Sequence, residues 1–101
     1  MSMMTTFNEV WTEIEKHQGE VLLTSRGLEF TYQVKGGCLY ISRKKKELTK
    51  ASLERAYNEA VKLDLRVSGP KKLKVFGASY IYPIFLHIGL IQKPEAPIKK
   101  S

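Results

Sequence analysis

At 101 residues, 43% of them hydrophobic, the chain has room for one core and enough apolar side chains to fill it. Seventeen basic against ten acidic residues give a net charge of +7, which favours polyanionic partners. One cysteine excludes an intramolecular disulfide, and the most apolar stretch, Tyr80 to Ile91, falls short of the ~20 residues a membrane span needs. With no signal-peptide pattern at Met1 to Thr5, a soluble cytoplasmic protein that does not engage membranes is expected.

Thr6 and Glu9 form a T-x-x-E capping box, and Phe7, Val10, Trp11 and Ile14 fall on one helical face. The spacing predicts an amphipathic helix closed by Lys16, His17 and a left-handed Gly19. From Glu20 the period changes to two. Val21 to Leu23 reads as a strand and Ser25-Arg26-Gly27 as a turn. Leu28, Phe30, Tyr32 and Val34 then alternate with Glu29, Thr31, Gln33 and Lys35, which predicts a half-buried strand. Gly36-Gly37 suits a two-residue hairpin loop leading to a third strand from Cys38 to about Arg43. A loop that short fixes register. It places Val34 opposite Leu39 and Tyr32 opposite Ile41 on the buried face. On the polar face it pairs Lys35 with Cys38, Gln33 with Tyr40, Thr31 with Ser42 and Glu29 with Lys44.

After the run Arg43-Lys44-Lys45-Lys46, Thr49 is the expected N-cap of a second helix, with Leu48 stapled onto Leu53. Leu53, Ala56, Tyr57, Ala60 and Leu63 line its inner side. Lys50, Glu54, Arg55, Asn58, Glu59 and Lys62 face out, with Arg55 and Glu59 an i,i+4 pair. Leu65 to Val67 reads as a short strand, Ser68-Gly69-Pro70 as a turn, and Lys71 to Val75 as a basic loop or edge strand. Gly77-Ala78-Ser79 opens a third, strongly apolar helix, with Ser79 as cap and Pro83 near the first turn. Ile81, Ile84, Phe85 and Ile88 point inward, and Gly89-Leu90 closes it. Residues 92–101, with Pro94, Pro97 and two lysines at the end, read as a disordered basic tail. The expected fold is therefore a single α+β domain over residues 1–91. It comprises an N-terminal helix, a three-stranded antiparallel sheet with room for a short fourth strand, and two helices packed on one face.

No enzyme class is supported. Cys38 beside a hairpin has no histidine expected near it, so the nucleophile–base pair of covalent catalysis is missing. One cysteine and two histidines seventy residues apart supply no metal-ligand spacing, so neither a metal nor another cofactor is expected. His17 reads as a helix-terminal cation and His87 as a residue on the polar side of the last helix. The glycines match no phosphate-binding fingerprint.

The informative feature is clustered positive charge. Arg43, Lys44, Lys45, Lys46 and Lys50 lie around the start of the second helix, and Lys71, Lys72 and Lys74 precede the third. Such clusters near helix N-termini suit phosphate contacts along DNA or RNA. Gln33, Tyr40 and Ser42 on the outer sheet face are candidate base contacts. A rival reading gives the apolar third helix to a protein partner or homodimer through Tyr82, Phe85 and Ile88.

The order hairpin, helix, then Gly77-Ala78-Ser79-Tyr80-Ile81-Tyr82-Pro83-Ile84-Phe85 resembles a small module of uncharacterised bacterial proteins, some restriction-type nucleases among them. There a G-x-S-Y-(I/V) segment opens an apolar helix. The likeness spans about Leu28 to Ile91, with Pro83 standing where that module would carry a small residue such as alanine. It implies an accessory domain near DNA transactions rather than the nuclease itself, and it assigns no functional residue here.

Overall fold

The computed structural model describes residues 6–43 and 46–93. Helix α1 spans Phe7–Lys16 and begins as the sequence requires: the Thr6 hydroxyl accepts from the Glu9 N–H, and the Glu9 carboxylate accepts from the Thr6 N–H. Its apolar face, Phe7, Val10, Trp11 and Ile14, is buried. The turn after α1 seals a sheet edge. Gly19 N–H donates to the Tyr32 carbonyl at 2.9 Å, and Val34 N–H donates to Gln18 Oε1 at 2.9 Å. That leaves fewer open backbone groups for unwanted strand pairing.

The three-stranded antiparallel sheet is β3 (Tyr32–Lys35), β4 (Cys38–Ile41) and β5 (Lys46–Thr49), in that order. Gly36 and Gly37 join β3 to β4 with φ of 54° and 80°, the positive angles of a tight hairpin turn. The register is the one the loop dictates: Tyr32 faces Ile41, Gln33 faces Tyr40, Val34 faces Leu39 and Lys35 faces Cys38. Beyond it, Ser42 N–H donates to the Thr31 carbonyl at 2.9 Å; the Glu29–Lys44 pairing lies outside the described residues.

The strand membership differs from the expected meander. The alternating run from Leu28 breaks at Thr31, and its first part joins the preceding segment as a separate ribbon, β1 (Leu22–Leu23) with β2 (Glu29–Phe30). The place beside β4 goes to β5, from the end of the basic run, with Leu39 opposite Leu48. Leu48 is buried and Glu47 and Thr49 are exposed, so β5 contributes little apolar signal to the sequence.

Helix α2 spans Lys50–Lys62, with the Thr49 hydroxyl capping Ser52 N–H at 3.1 Å. Leu53, Ala56 and Ala60 are buried and Tyr57 is half-buried. Leu63, expected inside, is exposed at 39%, because it is the C-cap and lies past the last residue of the helix. Glu59 bonds Lys62 at 3.2 Å, in place of the expected Arg55 pairing. Residues 65–75 form no strand. A single parallel bridge joins Arg66 to Gln92, and Pro70–Leu73 is a 3-10 turn with Leu73 buried. The bridge takes Gln92 out of the expected free tail; residues 94–101 lie outside the described residues.

Helix α3 spans Ala78–His87, and its N-cap is Gly77, not Ser79. Gly77 has φ 81°, and a Cβ there would fall 2.3 Å from Leu48 Cδ2, so only glycine lets α3 begin against β5. Pro83 lies inside the helix and is buried, removing the N–H that the Ser79 carbonyl would otherwise receive. At the other end Gly89 N–H reaches the Leu86 carbonyl and Leu90 N–H the Phe85 carbonyl, the paired bonds that close a helix on a left-handed glycine. One hydrophobic cluster unites α1, both β elements, α2 and α3. No helix among the described residues is long and apolar enough to cross a membrane.

Candidate nucleic-acid interface

The β1–β2 ribbon turns at Thr24–Leu28, and Thr24 organises that turn. Its hydroxyl accepts from Arg26 N–H (3.3 Å) and Leu28 N–H (3.1 Å), while its carbonyl accepts from Gly27 N–H (2.8 Å). Arg26 and Leu28 are thereby held at the surface. Across from them, the chain from Ser68 to Ser79 is pinned at buried Leu73, leaving Lys71, Lys72 and Lys74 exposed around it. Between these walls lies a groove of about 980 Å³, with Arg26, Lys71, Lys72, Lys74, Phe76 and Ser79 in its lining.

Two contacts brace the walls, the first joining the ribbon to α3 and the second holding the start of α3 against β5. Phe30 of the ribbon meets Tyr80 of α3 edge-on, with ring centroids 5.2 Å apart. Leu48 of β5 lies against Gly77. The groove is open to the first turn of α3, which has neither a side-chain cap nor an acidic residue. That turn adds partial positive charge to the four cations. Phe76, the most exposed large hydrophobic side chain among the described residues at 72%, lines the same groove.

The expected site residues divide. Lys71, Lys72 and Lys74 converge on the groove. Arg43 lies at its flank, where its Nε donates to the Glu29 carbonyl at 3.2 Å, one residue from groove-lining Leu28. Lys46 lies in β5, and Lys44 and Lys45 are outside the described residues. Lys50 is occupied elsewhere, with its ammonium 5.3 Å from the centre of the Trp11 ring. Gln33, Tyr40 and Ser42 are exposed, but Tyr40 faces Glu47 across the β4–β5 ladder, and Ser42 Oγ accepts from Thr31 N–H at 2.9 Å. The Glu47 charge pushes the Tyr40 phenol up, and a carboxylate there opposes phosphate. A hydrogen bond to the same Glu47 pushes the Cys38 thiol up, away from the thiolate that a nucleophile needs.

Tyr82, Phe85 and Ile88, expected at an interface, are buried within the chain's own core. Tyr82 also donates its hydroxyl to the Val67 carbonyl at 2.9 Å. The apolar circumference of α3 is consumed internally because ribbon, α2 and the Pro70–Leu73 turn all pack on it.

Arg26 and Phe76 escaped the sequence reading, since one basic residue in a turn and one aromatic after a lysine run carry no period. A second grouping escaped it too. His17, at the C-cap of α1, and His87, the last residue of α3, both reach Glu20. His87 Nε2 is 2.6 Å from Glu20 Oε1, and His17 Nδ1 is 3.1 Å from the same carboxylate. These bonds, His87's first, hold the Glu20 carboxyl below its ordinary value. The separation of seventy residues hid a cluster that the fold assembles. No family model matches the chain, and no curated protein or solved structure matches it significantly.

Proposed function

We propose that this chain is a non-enzymatic nucleic-acid-binding domain that holds a strand in the groove between the β1–β2 turn and the start of α3. The observation carrying this reading is the convergence of Arg26, Lys71, Lys72 and Lys74 with exposed Phe76 at a helix N-terminus that has no side-chain cap. Lysine and arginine tips suit phosphates, and an aromatic face beside them suits an unpaired base, which stacks at about 1–3 kcal/mol. Arg43 at the flank extends the phosphate track. A cytoplasmic location, where Cys38 stays reduced and nucleic acid is at hand, belongs to the same proposal.

The test is fluorescence anisotropy with short single- and double-stranded DNA and RNA. Binding is expected at micromolar or tighter, with single strands preferred because Phe76 needs an unpaired base. Lys72→Glu/Lys74→Glu weakens every ligand, whereas Phe76→Ala weakens single strands about tenfold and duplexes little. Full affinity in the double charge reversal would refute the groove as the site.

A further inference from the structure

The cluster at the far end of α3 is a different feature from the groove. Ser79 and His87 are eight residues apart along the helix, so about 12 Å separates the groove from the histidines. We propose that His17, Glu20 and His87 bind one divalent transition-metal ion of the Zn2+ class. The nitrogen and oxygen donors of the three residues all lie within 4.8 Å of one another. Around an ion with bonds of ~2.0–2.1 Å, tetrahedral ligand atoms lie about 3.3 Å apart. The present Glu20 separations of 2.6 and 3.1 Å are within side-chain adjustment of that value.

Three further observations favour a cation here. Both histidines sit at helix C-termini, so the negative ends of α1 and α3 converge on one point. Glu13 Oε1 lies 3.8 Å from His17 Nε2, the ring nitrogen that faces away from Glu20. A carboxylate behind a ligating imidazole is the usual second partner at such sites, fixing the ring and raising its basicity. His17 and His87 also meet edge-on with centroids 5.0 Å apart, so the two rings already stand side by side and only small rotations bring their nitrogens to one ion. Two imidazoles and a carboxylate suit zinc and the neighbouring late transition metals, whereas magnesium and calcium prefer all-oxygen sets. The partly exposed side chains leave the remaining coordination position to water. Such an ion would clip the end of α1 to the end of α3.

The test uses tag-free protein stripped with chelator, since His17 and His87 are the two histidines of the chain. Zn2+ is titrated by calorimetry and Co2+ by visible absorption, in wild type, His87→Gln, Glu20→Gln and Cys38→Ser. The expected result is one Zn2+ per chain at micromolar affinity, with Co2+ bands of a nitrogen–oxygen site. At a hundredfold excess over Kd the melting temperature rises by roughly 10 °C. His87→Gln and Glu20→Gln lower affinity at least tenfold, and Cys38→Ser leaves it unchanged. Melting in chelator reports whether each variant still folds. Wild type that binds no tighter than millimolar, or folded His87→Gln that binds as wild type does, would overturn the site and leave an ordinary hydrogen-bonded His–Glu–His cluster. Either outcome is independent of nucleic-acid binding at the groove.

Discussion

Gly77→Ala tests how the start of α3, and with it one wall of the groove, is fixed. Gly77 has φ 81°, a region that costs an L-residue about 1–2 kcal/mol. The new Cβ would also fall 2.3 Å from Leu48 Cδ2, and Leu48 is buried with little room to turn. Overpacking of this kind costs about 1–3 kcal/mol, so the total loss is about 2–5 kcal/mol. Gly89 provides the control: its φ is 82°, but a Cβ there meets nothing within 4 Å. Gly89→Ala is therefore expected to lose only the backbone part. Urea denaturation of both variants, with a check that the m-value is unchanged, measures the difference. Adding Leu48→Ala to Gly77→Ala should cost less than the sum of the two single changes, because the clash is gone. Equal losses in Gly77→Ala and Gly89→Ala would refute the contact as the reason glycine stands at position 77.

Two other outcomes follow from the core. Phe85 is fully buried, so Phe85→Asp unfolds the chain, and circular dichroism should report loss of helix instead of a folded monomer. Tyr32 donates its hydroxyl to the Ile14 carbonyl at 2.6 Å, and burial, followed by the charge of Glu20, raises its ionisation far above the ordinary value. A phenol raised in the folded state contributes stability below the unfolded value of about 10 and loses it as pH climbs beyond. Thermal melts should therefore weaken above about pH 10. Tyr32→Phe should cost about 1–3 kcal/mol at neutral pH, by leaving the Ile14 carbonyl unpaired, and should flatten the alkaline loss. An alkaline profile identical in wild type and Tyr32→Phe would contradict this.

Local signals carried much of the fold. The Thr6–Glu9 box, the Gly36-Gly37 hairpin with its register, the Thr49 cap and the Gly89 closure each depend on neighbours a few residues away, and each is present as expected. What stayed hidden depends on tertiary partners. Leu48 looks like a helix staple until β4 supplies Leu39 opposite it. Thr31 breaks an alternating run because the ribbon must leave the sheet to cover α3 through Phe30. Pro83 is tolerated within α3 since the surrounding core, not helix propensity, holds the element together. The lysines before α3 were visible, but their convergence with Arg26 was not, for the two walls are more than forty residues apart in sequence. The His17–Glu20–His87 grouping was unreadable for the same reason.

The most direct test of the proposed function is the slope of log Kd against log salt for a short single strand. Engagement of the four groove cations, Arg26, Lys71, Lys72 and Lys74, gives a slope of magnitude about 2.8 and a fall of roughly fiftyfold between 50 and 200 mM salt. Lys72→Glu/Lys74→Glu should cut that magnitude by about half. A slope near zero, or one that the double variant leaves unchanged, would contradict the account and make the lysines of the groove a solvated surface.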